Sequence, residues 1–305
     1  MKIVVVGSGG VGGYFGGRLA ARGADVTFVA RGAHLEAMRS SGLRINSPDG
    51  DVVLPTVQVT DDPRTVGHAD VILFAVKLYD VPSAAALLPP LLGPQTVVVP
   101  LQNGIASIDL LQSAVGREHV MGGTCYVSAV IDAPGVIRHT AMGRLLFGPL
   151  SGPAPQPLRD LLAACAGAGF EAVLSEQIRT EIWAKFTRLT AFSGVTSVTR
   201  SPMGVIIADP DLRALLHAAI AESFAVAQAS GVPLDPGAIP QVMAAWTGMP
   251  YGTKSSMLED LERGRRLELP FLSGTVARLG DSLGVPVPTH RFITTVLKPF
   301  VNGRL

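Results

Sequence analysis

The sequence predicts an α/β N-terminal domain followed by an all-helical C-terminal domain, and three observations predict it. A four-residue apolar run, Ile3 to Val6, breaks into the glycines Gly7, Gly9, Gly10 and Gly12. Short apolar runs then alternate with helical or irregular connections as far as residue 174, the pattern of an open α/β sheet. From Ser175 onward the apolar residues recur at helical spacing instead. The domains are accordingly expected at 1–174 and 175–305.

The first unit runs from the apolar strand through Gly7-Ser8-Gly9-Gly10-Val11-Gly12 into a helix over Tyr14 to Arg22. A second apolar run, Val26 to Ala30, ends at Arg31. Strand, glycine turn and helix in this order make a Rossmann-type unit for a dinucleotide. The glycines supply a tight turn, close backbone approach to a pyrophosphate and close helix packing. The helix N-terminus offers free N–H groups and partial positive charge to the phosphates. A purely structural glycine turn is the alternative. Arg31 bears on which dinucleotide is held. An NAD site usually has Asp or Glu at the tip of the second strand for the ribose 2′-hydroxyl, whereas Arg accommodates a 2′-phosphate. Here Ala30 and Arg31 hold the tip, and no carboxylate follows before Glu36. The expectation is NADP(H), set against a solvated surface arginine.

Val52 to Leu54 and Thr56 to Thr60 follow as short strands, then Ala69 to Lys77 as a buried strand emerging at a lysine. A helix from Val81 is ended by its prolines before Leu92, and a strand over Thr96 to Leu101 stops at Gln102-Asn103-Gly104. Both strand ends carry weight, because ligands of such sheets sit outside the carboxyl ends of the strands. Gly122 to Val127, Gly135 to His139 and Arg144 to Gly148 predict hairpin strands. Leu158 to Ala168 predicts a helix, and Phe170 to Leu174 a last edge strand. In the second half Ile178, Ile182, Phe186, Leu189 and Phe192 share a helical period. Further helices are predicted over Leu212 to Ala229, Ile239 to Thr247, Ser256 to Arg263, Leu272 to Leu283 and Arg291 to Lys298.

Composition narrows the function classes. A chain of 305 residues that is 48% hydrophobic and 16% charged has material for two domains with large cores. The greasiest stretch, Leu87 to Leu101, is broken by Pro89, Pro90, Pro94 and Pro100, so no membrane span is expected. Met1-Lys2-Ile3 leads straight into the first strand, leaving no room for a signal peptide. Cys125 and Cys165 form no disulfide framework, which points to the cytoplasm. A net charge of +1 gives no basic footprint for nucleic acid. There is no GxSxG elbow, and the six histidines lack paired ligand spacing, so neither a serine hydrolase nor a metal site is expected.

Two side chains of the second half stand out. Lys185 follows Trp183 on an otherwise apolar helix. A desolvated lysine there would have its pKa lowered toward neutrality and could give a proton to a carbonyl oxygen as hydride arrives. An ordinary snorkelling lysine is the competing reading. Glu268 lies between Leu267 and Leu269 just after Arg263-Gly-Arg-Arg266. By itself it reads either as a site carboxylate or as a surface partner of those arginines.

Taken together, Gly7 to Gly12, Arg31, Val76-Lys77, Gln102-Asn103-Gly104, Trp183-Ala-Lys185, Ser255-Ser-Met257 with Asp260 and Gly264, Glu268 and Leu283-Gly-Val-Pro286 carry a resemblance. Over essentially its full length the chain resembles the ketopantoate reductase (2-dehydropantoate 2-reductase) family. The resemblance implies NADPH-dependent reduction of a 2-oxo acid to a 2-hydroxy acid, with 2-dehydropantoate the leading substrate and Lys185 the proton donor. It implies that Lys77, Asn103, Glu268 and the backbone near Val127 touch cofactor, beside Gly7, Ser8, Gly9, Gly10, Val11, Gly12 and Arg31. It also implies that Asn103, Lys185 and Ser256 meet the substrate, and Ser193 is expected to orient it beside them.

The chain departs from the family pattern where asparagines usually stand four and eight residues after the catalytic lysine. Leu189 and Ser193 hold those positions, and Met203 and Thr253 fall on two further polar contacts. Each apolar replacement would leave a buried substrate group unpaired, at about 1–3 kcal/mol, unless waters or neighbours such as Thr187, Thr190 and Ser197 compensate. Two alternatives therefore stand beside the leading reading. One is a paralogue that reduces a different branched 2-oxo acid. The other is a non-catalytic module that binds NADPH and a metabolite. The apolar surface of the helical half also suits a homodimer.

Overall fold

The computed structural model describes residues 1–304 and divides into two compact units. Met1–Gln102 and Ala106–Arg179 form the first; Asn103–Ile105 and the chain from Thr180 form the second.

In the first unit the chain runs β1 (Lys2–Val6), α1 (Gly10–Ala21), β2 (Asp25–Val29), α2 (Gly32–Ser41), β3 (Leu43–Asn46), β4 (Val52–Leu54), β5 (Gln58–Thr60) and β6 (Ala69–Phe74). It continues through α3 (Val81–Ala85), β7 (Leu92–Pro100), α4 (Ala106–Val115), β8 (Gly122–Ala133), β9 (Val136–Gly148), α5 (Gln156–Cys165) and β10 (Glu171–Leu174). One open sheet is what the alternating runs predict; the chain builds two. The first is all parallel in the order β5-β2-β1-β6-β7. Ile3 to Val6 are buried, as the unbroken apolar run requires of a central strand covered on both faces. The second sheet has the order β10-β9-β3-β4, with β8 paired antiparallel to β9.

α1 lies between the sheets. It packs against β1, β2 and β6 of the first and against β3, β4, β8 and β9 of the second, and Tyr14, Phe15 and Leu19 are wholly buried. This accounts for its composition. A methyl on Gly16 would come within 2.7 Å of Val5 and Phe28 in the first sheet, and one on Gly17 within 2.7 Å of Ile45 in the second. Both sheets press onto a helix that is nearly bare on two sides.

Several boundaries differ from expectation. The helix from Val81 closes after Ala85, and Pro89–Leu91 forms a single 3-10 turn. β6 ends at Phe74, three residues before Lys77. α2, β3 and α4 arise where no element is expected.

The second unit, among its described residues, is helical throughout. It comprises α6 (Ile178–Thr199), which begins in the first unit, α7 (Met203–Ala208), α8 (Pro210–Ala229), α9 (Ile239–Thr247), α10 (Ser256–Glu262), α11 (Ser273–Leu283) and α12 (Pro288–Leu297). Its core gathers Trp183, Phe186, Val195, Ile206, Leu216, Phe224, Trp246, Leu258, Val276 and Ile293. A buried polar chain crosses it: Thr190 meets the Ser223 hydroxyl at 2.9 Å, and Ser223 meets His290 Nε2 at 2.8 Å. No described helix is long and apolar enough to cross a membrane.

Candidate active site

The glycine turn is built by the parallel sheet. Gly7 leaves β1 with φ +95°, a conformation that favours glycine, and its N–H donates to the Val29 carbonyl at 3.2 Å. The buried Ser8 hydroxyl donates to the same carbonyl at 2.9 Å, so it ties the turn to the end of β2. Gly9 caps α1 in extended conformation with no side-chain hydrogen bond to the first turn. Space is open where a Gly9 side chain would stand. Val11 is half-buried against the core. Val127 lies on β8, which packs on α1 in the same unit.

Arg31 extends from the end of β2 with its side chain 84% exposed, and one guanidinium NH2 donates to Asp80 Oδ2 at 2.9 Å. Lys77 is exposed and opens the 3-10 turn Leu78–Asp80 after β6. That end is braced by Gln102, whose buried amide donates to the carbonyls of Phe74 (2.7 Å) and Val76 (3.1 Å). Gly7 to Gly12, Arg31 and Lys77 thus share the carboxyl edge of one sheet. Their donors fit a dinucleotide: an uncapped helix start for phosphate, and a guanidinium at the β2 tip for a 2′-phosphate.

His34, which the sequence does not single out, bridges this turn to the β8–β9 hairpin. Its Nδ1 accepts from the Gly135 N–H (3.1 Å), which leaves Nε2–H to donate to the Ser8 carbonyl (2.9 Å). Burial lowers its pKa below the ordinary 6.5, partly opposed by the Ser8 hydrogen bond. Burial likewise lowers His290, opposed by the Ala219 carbonyl and Glu222. Both rings are neutral when folded, while the unfolded chain takes up protons near pH 6.5. Their contribution to stability is therefore complete above about pH 6.5 and is lost as pH falls toward the lowered values. Melting temperature is expected to drop between pH 7 and pH 5, and less steeply in His34→Gln. Equal slopes for the two proteins would contradict the role given to His34.

In the second unit, Lys185 sits half-buried at the start of the third turn of α6. Trp183 (6% exposed) and Phe186 (1%) flank it and pack edge to face, with centroids 5.6 Å apart. Leu189 and Ser193 follow at one-turn spacing on the same helix face. Ser193 is 1% exposed, and its hydroxyl has no hydrogen-bond partner among the described residues. The Thr187 and Thr190 hydroxyls donate to the helix backbone, at Ala184 and Thr187, while the buried Ser197 hydroxyl has no such partner.

Ser256 is exposed as the first residue of α10. Its neighbour Ser255 caps that helix, accepting from Leu258 N at 3.1 Å, and meets Thr196 of α6 at 2.7 Å. α10 is thereby pinned to the helix that carries Lys185. Glu268 is 6% exposed between Leu267 and Leu269, each 1% exposed, so it is no surface carboxylate. Arg263 and Arg265 lie nearest Glu259 and Asp260. Asn103 is half-buried, and Ile105 packs against the helical core. Met203 is buried and its N–H donates to the Thr253 carbonyl at 2.8 Å, while the Thr253 hydroxyl donates to Pro250 O at 2.7 Å. Asn103, Lys185, Ser193, Ser256 and Glu268 therefore belong to one compact unit. Asp80 and the bracing role of the Gln102 amide are what sequence reasoning missed. Their importance lies in contacts between strand ends, which local pattern does not reveal.

Residues 3–152 match the family described as Ketopantoate reductase PanE/ApbA, and residues 177–301 match its C-terminal counterpart. The chain belongs to the ketopantoate reductase family. Like its relatives, this family member is an oxidoreductase. It is 33% identical to the 2-dehydropantoate 2-reductase of Mesorhizobium japonicum, across 95% of this chain and 94% of that one. It is 34% identical to the uncharacterized oxidoreductase YkpB of Bacillus subtilis, across 94% and 95%. The crystal structure of a PanE/ApbA family ketopantoate reductase from Ralstonia eutropha superposes with a TM-score of 0.89 at 32% identity, covering 99% and 98%.

Proposed function

We propose that the protein reduces a 2-oxo acid to the 2-hydroxy acid with NADPH, 2-dehydropantoate being the leading substrate. One observation carries the reading: the family match continues through 177–301, over α6 and Lys185, beyond the nucleotide-binding half that many chemistries share. In this reading residues 1–174 hold the cofactor and 175–305 carry the catalytic groups. The α1 N-terminus with Gly7 to Gly12 receives the pyrophosphate, Arg31 the 2′-phosphate, and Lys77, Asn103, Val127 and Glu268 the remaining contacts. The bound cofactor supplies hydride to the carbonyl carbon.

Lys185 donates a proton to the carbonyl oxygen, so charge does not build up there. Asn103 orients that carbonyl with its amide. Ser256 and Ser193 hold the polar groups of the acid, Ser193 offering a hydroxyl that no other side chain claims. Trp183 and Phe186 keep water from the flank of Lys185, which strengthens its interaction with the developing alkoxide.

A second reading, a different branched 2-oxo acid as substrate, is favoured by Leu189 and Met203 at positions usually polar and by a Thr253 hydroxyl already bonded to Pro250. Following NADPH absorbance with 2-dehydropantoate and a panel of branched 2-oxo acids separates the two. Turnover at about 1–10³ s⁻¹ is expected with the true substrate. NADPH binding without consumption for any acid would overturn both in favour of a binding module.

A further inference from the structure

Arg31 does not stand alone at the cofactor edge. In the strand order β5-β2-β1-β6-β7, β2 and β6 flank β1, and the chain changes sides at β1. Arg31 follows β2 and Asp80 follows β6, so their 2.9 Å ion pair reaches across the carboxyl end of β1. That is the switch point where ligands of open α/β sheets bind. Asp80 is held firmly: Leu78 and Val81 on either side are wholly buried, and its N–H donates to the Lys77 carbonyl at 2.9 Å.

The carboxylate also forgoes its usual task. Asp80 occupies the N-cap of α3, where aspartate normally accepts from the first turn's N–H groups. Here it makes no such hydrogen bond, and Pro82 removes one of the candidate donors. Instead it turns to Arg31.

We propose that Asp80 is a specificity residue that lowers the preference for NADPH over NADH by competing with the 2′-phosphate for Arg31. The inference rests on the assignment of Arg31 to that phosphate. A 2′-phosphate carries more negative charge than the ribose hydroxyl of NADH, and only the phosphate has to share the guanidinium with a carboxylate. Repulsion therefore falls on the phosphorylated cofactor, whereas a 2′-hydroxyl can donate to the same carboxylate.

Calorimetric titration of NADP⁺ and NAD⁺ into wild type, Asp80→Asn, Asp80→Ser and Arg31→Ala tests this without turnover. Asp80→Asn is expected to tighten NADP⁺ by roughly 3- to 10-fold with little change for NAD⁺, the gain shrinking at high salt as screening grows. Asp80→Ser serves if the asparagine variant melts abnormally. An unchanged or reduced NADP⁺/NAD⁺ affinity ratio, with Arg31→Ala still losing NADP⁺ selectively, overturns the role of Asp80 alone. If Arg31→Ala leaves the ratio untouched, the assignment of Arg31 fails and the proposal falls with it.

Discussion

Replacing Lys185 by alanine is expected to lower kcat by about 10²–10⁴-fold, the usual contribution of a positioned general acid. Affinity for NADPH should stay within about twofold, because the proposed cofactor contacts are other side chains. The position supports a large effect: Lys185 is half-buried on a helix whose neighbours Trp183 and Phe186 are in the core. Lys185→Arg should rescue little, since a guanidinium keeps its proton and cannot serve as the donor. Steady-state rates, with binding followed separately by fluorescence, check this. Full turnover in the alanine variant would remove Lys185 from the mechanism and leave a water-borne proton as the source.

Arg31→Ala should weaken NADPH by about 10- to 100-fold, the worth of hydrogen bonds to a charged group, and leave NADH within about twofold. The side chain is 84% exposed and pairs with Asp80, so truncation opens no cavity and the melting temperature should hold. Parallel loss of both cofactors would instead mean that Arg31 shapes the turn.

The two folds of evidence that were plain in the sequence, the glycine turn and the helical second half, rest on local pattern. β1 is an unbroken apolar run from Ile3, and α6 keeps Ile178, Ile182 and Phe186 on a buried face. What escaped local pattern was set at long range. α2 buries only Leu35 and Met38, too few for a periodic signal. β3 becomes a strand because Arg44, Ile45 and Asn46 pair with Val136, Ile137 and Arg138 of β9, which also explains why two sheets formed in place of one. The half-burial of Lys185 was legible from its apolar helix. The burial of Glu268 was not, because the run Arg263-Gly-Arg-Arg266 beside it suggests a surface, while Leu267 and Leu269 on either side of the carboxylate are in the core. The meeting of Arg31 with Asp80 depends on strand order and could not be read from either segment.

The glycine-rich helix α1 has a consequence for the order of folding. Its twelve residues include five glycines, each costing about 1 kcal/mol against alanine in a helix interior, so it has little tendency to form by itself. Its two bare sides are filled from β1 and β2 on one hand and from β3 and β9 on the other, and β9 ends only at Gly148. Contacts of such sequence separation form slowly. The turn that opens the chain is thus expected to be completed late: the first hundred residues hold the glycines, Arg31 and Asp80, yet α1 is packed on its second side only once the distant hairpin has closed over it.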